Sequence, residues 1–408
     1  MPHKPLRFLH AADLHLDQPL TGLRDVPDHL RELMINAPYL AARRLFDTAV
    51  AENVAFVVLS GNLLDLSSPE PRALQFLTDC FSHLEKHGIA TYWAGGPLDD
   101  PRLWPKGLEL PDGVCRFSDS EVNEISHFVG HEPVATILGR SRRSSKELSA
   151  KDFVEQADDQ LVIAVVSGRA SAEKLAEQSV DYWALGGEPQ RKTLLSEPRA
   201  AHYAGTPQGR YPDQIGPHGC TLVECGSDGV QRMRFIPCDV VRWHEERLIL
   251  ETAMTQQQLE GVCAERVQQL RSQSPGLPLL VTWTLTGTAA ATQLHDLHGT
   301  RDRLTEWLRQ QFGFQAELCW TVSVDLDQRN QLPESWYEED SLLGDYLRVV
   351  HDFGQDADIP LMDELSASHP LKEALGDELR AASYRSRGQV LRRAAELGAD
   401  LLRPREST

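Results

Sequence analysis

Asp13 and His15 stand two residues apart in the stretch RFLHAADLHLD, directly after a short apolar run. In an extended segment, residues i and i+2 point to the same side. One carboxylate and one imidazole could then face a single metal ion, a donor mixture suited to manganese, iron or zinc. A surface aspartate beside a partly buried histidine is the plainer alternative. Three further loops follow apolar runs: Gly61-Asn62-Leu63-Leu64-Asp65, Gly95-Gly96-Pro97-Leu98-Asp99-Asp100 and Gly186-Gly187-Glu188-Pro189. Asp65, Asp99 and Glu188 bring carboxylates to these loops, and a carboxylate-rich site could bind one magnesium or manganese ion. Helix caps and solvated loop acids are the commoner fate of such residues. His83 and His87 are spaced i, i+4 but lack the glutamate of a metalloprotease helix, so they read as surface residues. His10 and His202 read as ordinary strand residues. Gly95-Gly96 is not followed by the Lys-Ser/Thr of a phosphate-binding P-loop, and no G-x-S-x-G marks a serine hydrolase.

Alternating strands and helices must position these loops. Leu6–Ala11, Val54–Ser60, Ile89–Ala94, Gln160–Ser167 and Tyr182–Leu185 read as strands. The run VAFVVLS is apolar throughout, as in a strand buried on both faces. Tyr39–Glu52, Ser68–His87 and Ser171–Gln178 carry helical spacing. This alternation predicts an α/β layered domain with functional loops at the strand C-termini. His202–Ile236 is β-rich, with turns at Pro207-Gln208-Gly209, Gly216-Pro217 and Asp228-Gly229. Next come a helix over Gln256–Ser272, a strand over Leu279–Thr286, a helix over Thr300–Phe312 and a strand over Ala316–Asp325. After Leu332-Pro333 the chain turns acidic, with helices expected at Ser341–Asp352, Leu371–Arg380 and Val390–Leu402.

The 408 residues carry a formal charge of −19, which argues against broad nucleic-acid binding by this chain alone. Arg140, Arg142 and Arg143 belong to its one compact basic cluster, RSRRSSK, a weak candidate for a nucleic-acid contact and otherwise a solvated loop. No apolar run approaches the roughly 20 residues of a membrane span. The start MPHKPLRFLH lacks the h-region of a signal peptide. Seven scattered cysteines with no C-x-x-C pair predict reduced thiols in a cytoplasmic protein.

Four strand ends with loops of this type resemble the calcineurin-like metallophosphoesterases. FLHAADLHLDQPL, PRALQFL, DYWALG and YAGTPQGRYPDQIGPHGCTLVE are similar to the SbcD-like DNA repair exonucleases, nearest to their YhaO branch, which ESWYEEDSLLGDYLR also resembles. The resemblance implies a four-layer fold, a β-sandwich flanked by helices, over residues 1–240. A small α+β capping domain (241–332) and a helical C-terminal region (333–408) follow. It also implies two manganese ions, about 3.5–4 Å apart, clamping the oxygens of a phosphodiester. Family ligands come from D-x-H, G-D, G-N-H-D, a lone His and G-H-x-H.

Here only D-x-H is intact. Asn62 stands in place of the bridging Asp, Gly96 in place of a metal-binding Asn and Pro97 in place of the acid/base His. Ser167 lies near the place of the lone His, and Gly187 and Pro189 replace the last two imidazoles. The expectation is therefore a pseudoenzyme with no cofactor, or at most one weakly bound manganese or magnesium. The alternative is an active phosphodiesterase rebuilt around Asp13, His15, Asn62, Asp65, Asp99 and Glu188. In the family the nuclease chain partners an SMC-like coiled-coil ATPase, which its helical C-terminal region docks. DNA is then expected to bind weakly or through the partner, and a homodimer is a further possibility. Leu391, Ala394, Ala395, Leu397, Ala399, Leu401 and Leu402 supply apolar surface to the tail.

Overall fold

The computed structural model describes residues 6–23, 26–142, 147–153, 161–196, 199–226, 229–250, 254–286, 297–327 and 334–355, with Ala395, Gly398 and Leu402. The chain divides into two compact units, Met1–Asp327 and Gln328–Thr408.

The first unit opens with β1 (Leu6–Ala11), α1 (Asp28–Ala51), β2 (Phe56–Ser60), α2 (Pro71–Lys86), β3 (Ala90–Ala94) and β4 (Val114–Arg116). Next come β5 (Asn123–Val129), β6 (Glu132–Arg140), β7 (Leu161–Ser167), α3 (Ala172–Ala176), β8 (Tyr182–Gly186), β9 (Lys192–Leu195) and β10 (Ala200–Tyr203). The strands β11 (Gly219–Gly226) and β12 (Gly229–Pro237) return to the first sheet. That sheet runs β12-β11-β1-β2-β3-β4, and a second runs β5-β6-β7-β8-β10-β9. Within each, the central strands are parallel.

The two sheets pack face to face. Phe8, Phe56, Val58 and Tyr92 of the first meet Ile137, Ile163, Val165 and Tyr182 of the second in one buried cluster. Each such side chain contributes roughly 1.5–3 kcal/mol on burial. The outer face of the first sheet is covered by α1 and α2 through Leu45, Phe46, Leu77 and Phe81. The outer face of the second is covered by Phe153 and by Leu175 of α3. This is the four-layer α/β arrangement that the resemblance implied. His10 and His202 lie buried inside it, fully bonded. His10 meets the Tyr182 hydroxyl at 2.9 Å and Ser60 Oγ at 2.8 Å, and His202 meets Thr193 and Thr221, each at 2.9 Å.

The same unit carries a parallel three-stranded sheet, β13 (Arg242–Ile249), β14 (Leu279–Thr286) and β15 (Cys319–Asp327). The helices α4 (Gln256–Gln273) and α5 (Leu297–Phe312) cover one face through Leu259, Val267, Leu304 and Leu308. A Thr255–Gln258 capping box starts α4. In the second unit, α6 (Glu334–Glu338) precedes α7 (Leu342–Gln355), whose Leu343 and Leu347 pack with Ala395. The expected helix Leu371–Arg380 lies outside the described residues. So do Arg143 and, in the tail, Leu391, Ala394, Leu397, Ala399 and Leu401.

Two expectations need correcting. The helix expected to begin at Tyr39 begins at Asp28 and runs through Pro38. A proline inside a helix has no N–H for the carbonyl four residues earlier. That carbonyl belongs to Met34, and the N–H of Leu20 takes it from outside the helix at 3.3 Å. Residues 114–140, whose sequence pattern predicts no element, form β4, β5 and β6. β5 alternates partly buried with exposed residues along the outer edge of its sheet, so it shows no apolar run to read.

Candidate functional site

The loops after β1, β2, β3, β7 and β8 converge at one end of the sandwich. The β1 loop runs beside the β2 loop, with N–H groups of Asp13, His15 and Leu16 bonded to the carbonyls of Gly61, Asn62 and Leu63. Asp13 and His15 are not extended, as their spacing suggested. Both are left-handed, with φ of 55° and 44°, and Asn62 has φ 57°. Such a backbone costs on the order of 1 kcal/mol or more at a non-glycine residue. The bend still brings the side chains together, with His15 Nε2 3.8 Å from Asp13 Oδ1.

Asp13 is buried and both its oxygens are engaged. Oδ1 accepts from Asn62 Nδ2 at 2.8 Å, and Oδ2 accepts from the N–H of Gly187 at 2.9 Å. Burial raises its pKa to about 7, against the opposing pull of these donors and of Arg210. Burial, then Arg210, holds the His15 imidazole well below its usual range.

Asp99 sits at the hub of the loops. Its Oδ1 accepts from the N–H groups of Asn62 (2.7 Å) and Gly96 (2.6 Å). Its Oδ2 accepts from Leu63 N–H (3.0 Å) and Trp93 Nε1 (2.9 Å). Burial raises its pKa to about 6, partly offset by those four donors. Asp99 is thus a structural clasp between the β2 and β3 loops. Asp65 accepts from the backbone and hydroxyl of Ser67 and fixes the turn ahead of α2. Asp100 caps the short turn at Pro101–Leu103 and pairs with Arg102 at 2.9 Å. Glu188 is partly exposed. Among the described residues, no three His, Cys, Asp or Glu side chains are grouped so as to hold a metal.

Two of the remaining positions, Gly96 and Gly187, crowd Ser167. Gly96 faces Asn62 so tightly that a Cβ there would lie 2.6 Å from Asn62 Oδ1 and 3.1 Å from Ser167 Oγ. Gly187 has φ +93°, and a Cβ there would lie 3.1 Å from the same Ser167 Oγ. Pro97 is exposed and Pro189 partly so. Ser167 is buried. The ligand pattern that the resemblance implies for a two-metal centre does not fit this set: on that pattern Asn62, an amide, stands where a bridging carboxylate is expected, and Gly187 and Pro189 stand where imidazoles are expected.

The sequence reading missed Arg210. The loop 204–218 is held rigidly from several sides. Gln208 bonds Val240, Val241 and Gly209, Trp243 Nε1 bonds the Gly209 carbonyl, and His218 bonds the carbonyls of Thr206 and Gln214. This loop presents Arg210 towards Asp13, His15 and Asp17, on which its charge acts. The signal was visible as a lone arginine among the turn residues of TPQGRYPDQIGPHG. The two described arginines of the basic cluster are tied up locally. Arg140 pairs with Asp152 at 2.9 Å and donates to the Asp119 carbonyl, and Arg142 donates to the Glu147 carbonyl.

This layered fold gathers its loops at the strand ends, as the resemblance implied. No family model matches the chain. It is similar to a protein of Bacillus subtilis (strain 168) named uncharacterized metallophosphoesterase YhaO. The two are 28% identical over 340 residues, 80% of this chain and 83% of that protein. This similarity supports the metallophosphoesterase superfamily. Among solved structures, a dimetal phosphatase from Danio rerio aligns with 59% of this chain and 100% of its own, at 12% identity and TM-score 0.33. Vacuolar Protein Sorting 29 from Cryptosporidium parvum aligns with 57% and 99%, at 14% identity and TM-score 0.27. No helix among the described residues is long and apolar enough to cross a membrane.

Proposed function

We propose that this chain is a non-catalytic homologue of the SbcD-like DNA repair exonucleases, one that keeps the frame of the fold without its two-metal chemistry. One observation carries the reading. Asn62, at the position where the resemblance implies a bridging Asp, donates its amide to Asp13 and so occupies the carboxylate oxygen that a metal would need, while its own Oδ1 is buried without a partner. The caging of Asp99 by four N–H donors supports it further. Asp13 and His15 alone fall short of the three protein ligands usual at a catalytic metal. At most one manganese or magnesium ion binds, and weakly.

The role is then structural or regulatory, in the cytoplasm, with an SMC-like coiled-coil ATPase docked on the helical C-terminal region. With a charge of −19, DNA contacts are weak or run through that partner. The second reading, an active phosphodiesterase with a rebuilt site, draws on the intact Asp13–His15 pair and the left-handed backbone kept around it.

The deciding experiment is manganese-dependent cleavage of linear DNA by the purified chain beside Asp13→Ala. The expected result is no activity above that variant. Cleavage lost in Asp13→Ala would overturn the non-catalytic reading.

A further inference from the structure

The two sheets of the sandwich end on strands of unequal length. The edge strands β4, β5 and β9 have three, seven and four residues, and β12 has nine. β12 bonds β11 on one side, and among the described residues no strand lies on its other side. An open edge offers unpaired N–H and C=O groups to a further strand, and proteins blunt such edges with prolines, bulges or shortness. β5 carries a register shift between His127 and Phe128. From Arg232 to Ile236, β12 has neither a shift nor a proline.

The phase of this edge follows from the ladder. The N–H of Cys238 bonds the His218 carbonyl at 2.8 Å, in the register that sets Ile236 opposite Cys220 and Arg234 opposite Leu222. Opposed residues of an antiparallel pair are alternately bonded and not bonded. Even-numbered residues of this stretch therefore bond β11, and Met233 and Phe235 turn their backbone N–H and C=O groups outwards. Among the described residues, no other segment bonds those outward groups.

The side chains along the edge are sorted by face. Met233 packs between the two sheets, and Phe235 lies under Arg191, whose Cζ is 5.1 Å from the ring centre. On the other face, Arg7, Glu224 and Arg232 form one row across β1, β11 and β12. The row alternates in sign and stops on a cation at the open edge. Arg232 is exposed and makes no ion pair among the described residues. Beside it, Glu52 is shared by Arg234 at 2.7 Å and Arg7 at 3.9 Å. Arginine thus outnumbers glutamate on this face, in a chain whose net charge is −19. The row stands level with the start of β1, at the opposite end of that strand from Asp13.

A second copy of β12 does not suit this edge. Antiparallel pairing centred on Met233 sets Arg232 opposite Arg234, and pairing centred on Arg234 sets that arginine opposite itself. Like charges directly opposed destabilise a sheet. We propose that the open edge of β12 docks an extended acidic peptide of a partner protein as an added strand. Its acidic side chains lie beside Arg232 and Arg234, and the apolar ones alternating with them lie beside Met233 and Phe235.

The test is fluorescence anisotropy of a labelled short peptide of alternating glutamate and valine, titrated with the full chain. Saturable one-to-one binding is expected. A peptide of the same composition, with its glutamates and valines in separate blocks, should bind about tenfold more weakly. Arg232→Glu should weaken the alternating peptide about fivefold or more, and should take up the matching peptide with lysine in place of glutamate. Met233→Pro removes an outward N–H and leaves the ladder to β11 intact, so it should abolish binding in a chain whose circular dichroism is unchanged. If Met233→Pro unfolds, the charge swap at Arg232 decides alone. Wild-type chain that binds no alternating peptide overturns the proposal. So does equal binding of the block peptide, equal binding by folded Met233→Pro, or indifference to the charge swap. Sedimentation of the chain alone adds a last arm. A dimer that Met233→Pro dissolves would assign the edge to a second copy and overturn the proposal.

Discussion

The side-chain amide of Asn62 donates to the carboxylate of Asp13 across 2.8 Å, joining the β2 loop to the β1 loop where both backbones are left-handed. Replacing Asn62 by Asp removes that donor and sets two buried carboxylates against each other. Asn62→Asp should lose about 1–3 kcal/mol of stability in EDTA, measured by urea denaturation. Because Gly96 and Gly187 still offer no ligand, manganese should not restore it. A variant as stable as the parent would mean that this bond does not hold the loops.

Gly96→Asn introduces the residue type that the resemblance implies there. Its Cβ would come within 2.6 Å of Asn62 Oδ1, and the cost should be about 1–3 kcal/mol. Gly107→Asn is the control, because nothing lies within 4 Å of a Cβ at that position. Thermal melts of the pair should separate them clearly. Equal melting temperatures would contradict the close packing at Gly96.

Asp99→Ala should be more damaging than Asp65→Ala. The first strands the N–H groups of Asn62, Leu63 and Gly96 and the indole of Trp93, and should cost about 3 kcal/mol or more. The second removes a turn cap, worth about 0.5–2 kcal/mol. Chemical denaturation gives the order, and the reverse order would refute the clasp role of Asp99.

Stability should fall on acidification through the buried histidines. Burial, helped by Arg191, lowers His202 to about 4, and burial with His202 lowers His10. Between pH 6.5 and about 4 the unfolded chain binds a proton at such a position and the folded chain does not. Stability is therefore lost as the pH drops through this window, by about 3 kcal/mol for His202 alone. Asp13 and Asp99, raised to about 7 and 6, act in the opposite sense. The contribution of His202 is best read as the difference between wild type and His202→Gln in urea melts at pH 7.5, 5.5 and 4.5. A difference that does not change with pH would contradict it.

The layering was legible in the sequence because continuous apolar runs such as Phe56–Ser60 and Leu161–Ser167 are buried along their whole length. β5 was not, because an edge strand exposes every other residue and carries no such run. The start of α1 was hidden by Pro38, since nothing local announces that the N–H of Leu20 will take over the Met34 carbonyl. At the site, residue types marked which loops matter but not which way their acids turn. Asp99 reads like a ligand in sequence, and only the backbone N–H groups around it reveal a different task. Arg210 stayed hidden for a related reason. Its place beside Asp13 depends on a loop nearly 200 residues further along the chain.

Gly187 holds φ +93° and Gly96 faces Asn62 with no room for a Cβ, so these positions act as a ratchet. A histidine at 187 would have to adopt a backbone that L-residues rarely take, and an asparagine at 96 would push into its neighbour. At these two positions, a single change to the residue type that the resemblance implies lowers stability before any metal could compensate. Only several changes made together, with the loop backbones moving apart, could reach a metal-binding arrangement. Stepwise substitution at 96 and 187 therefore has no downhill route to such an arrangement.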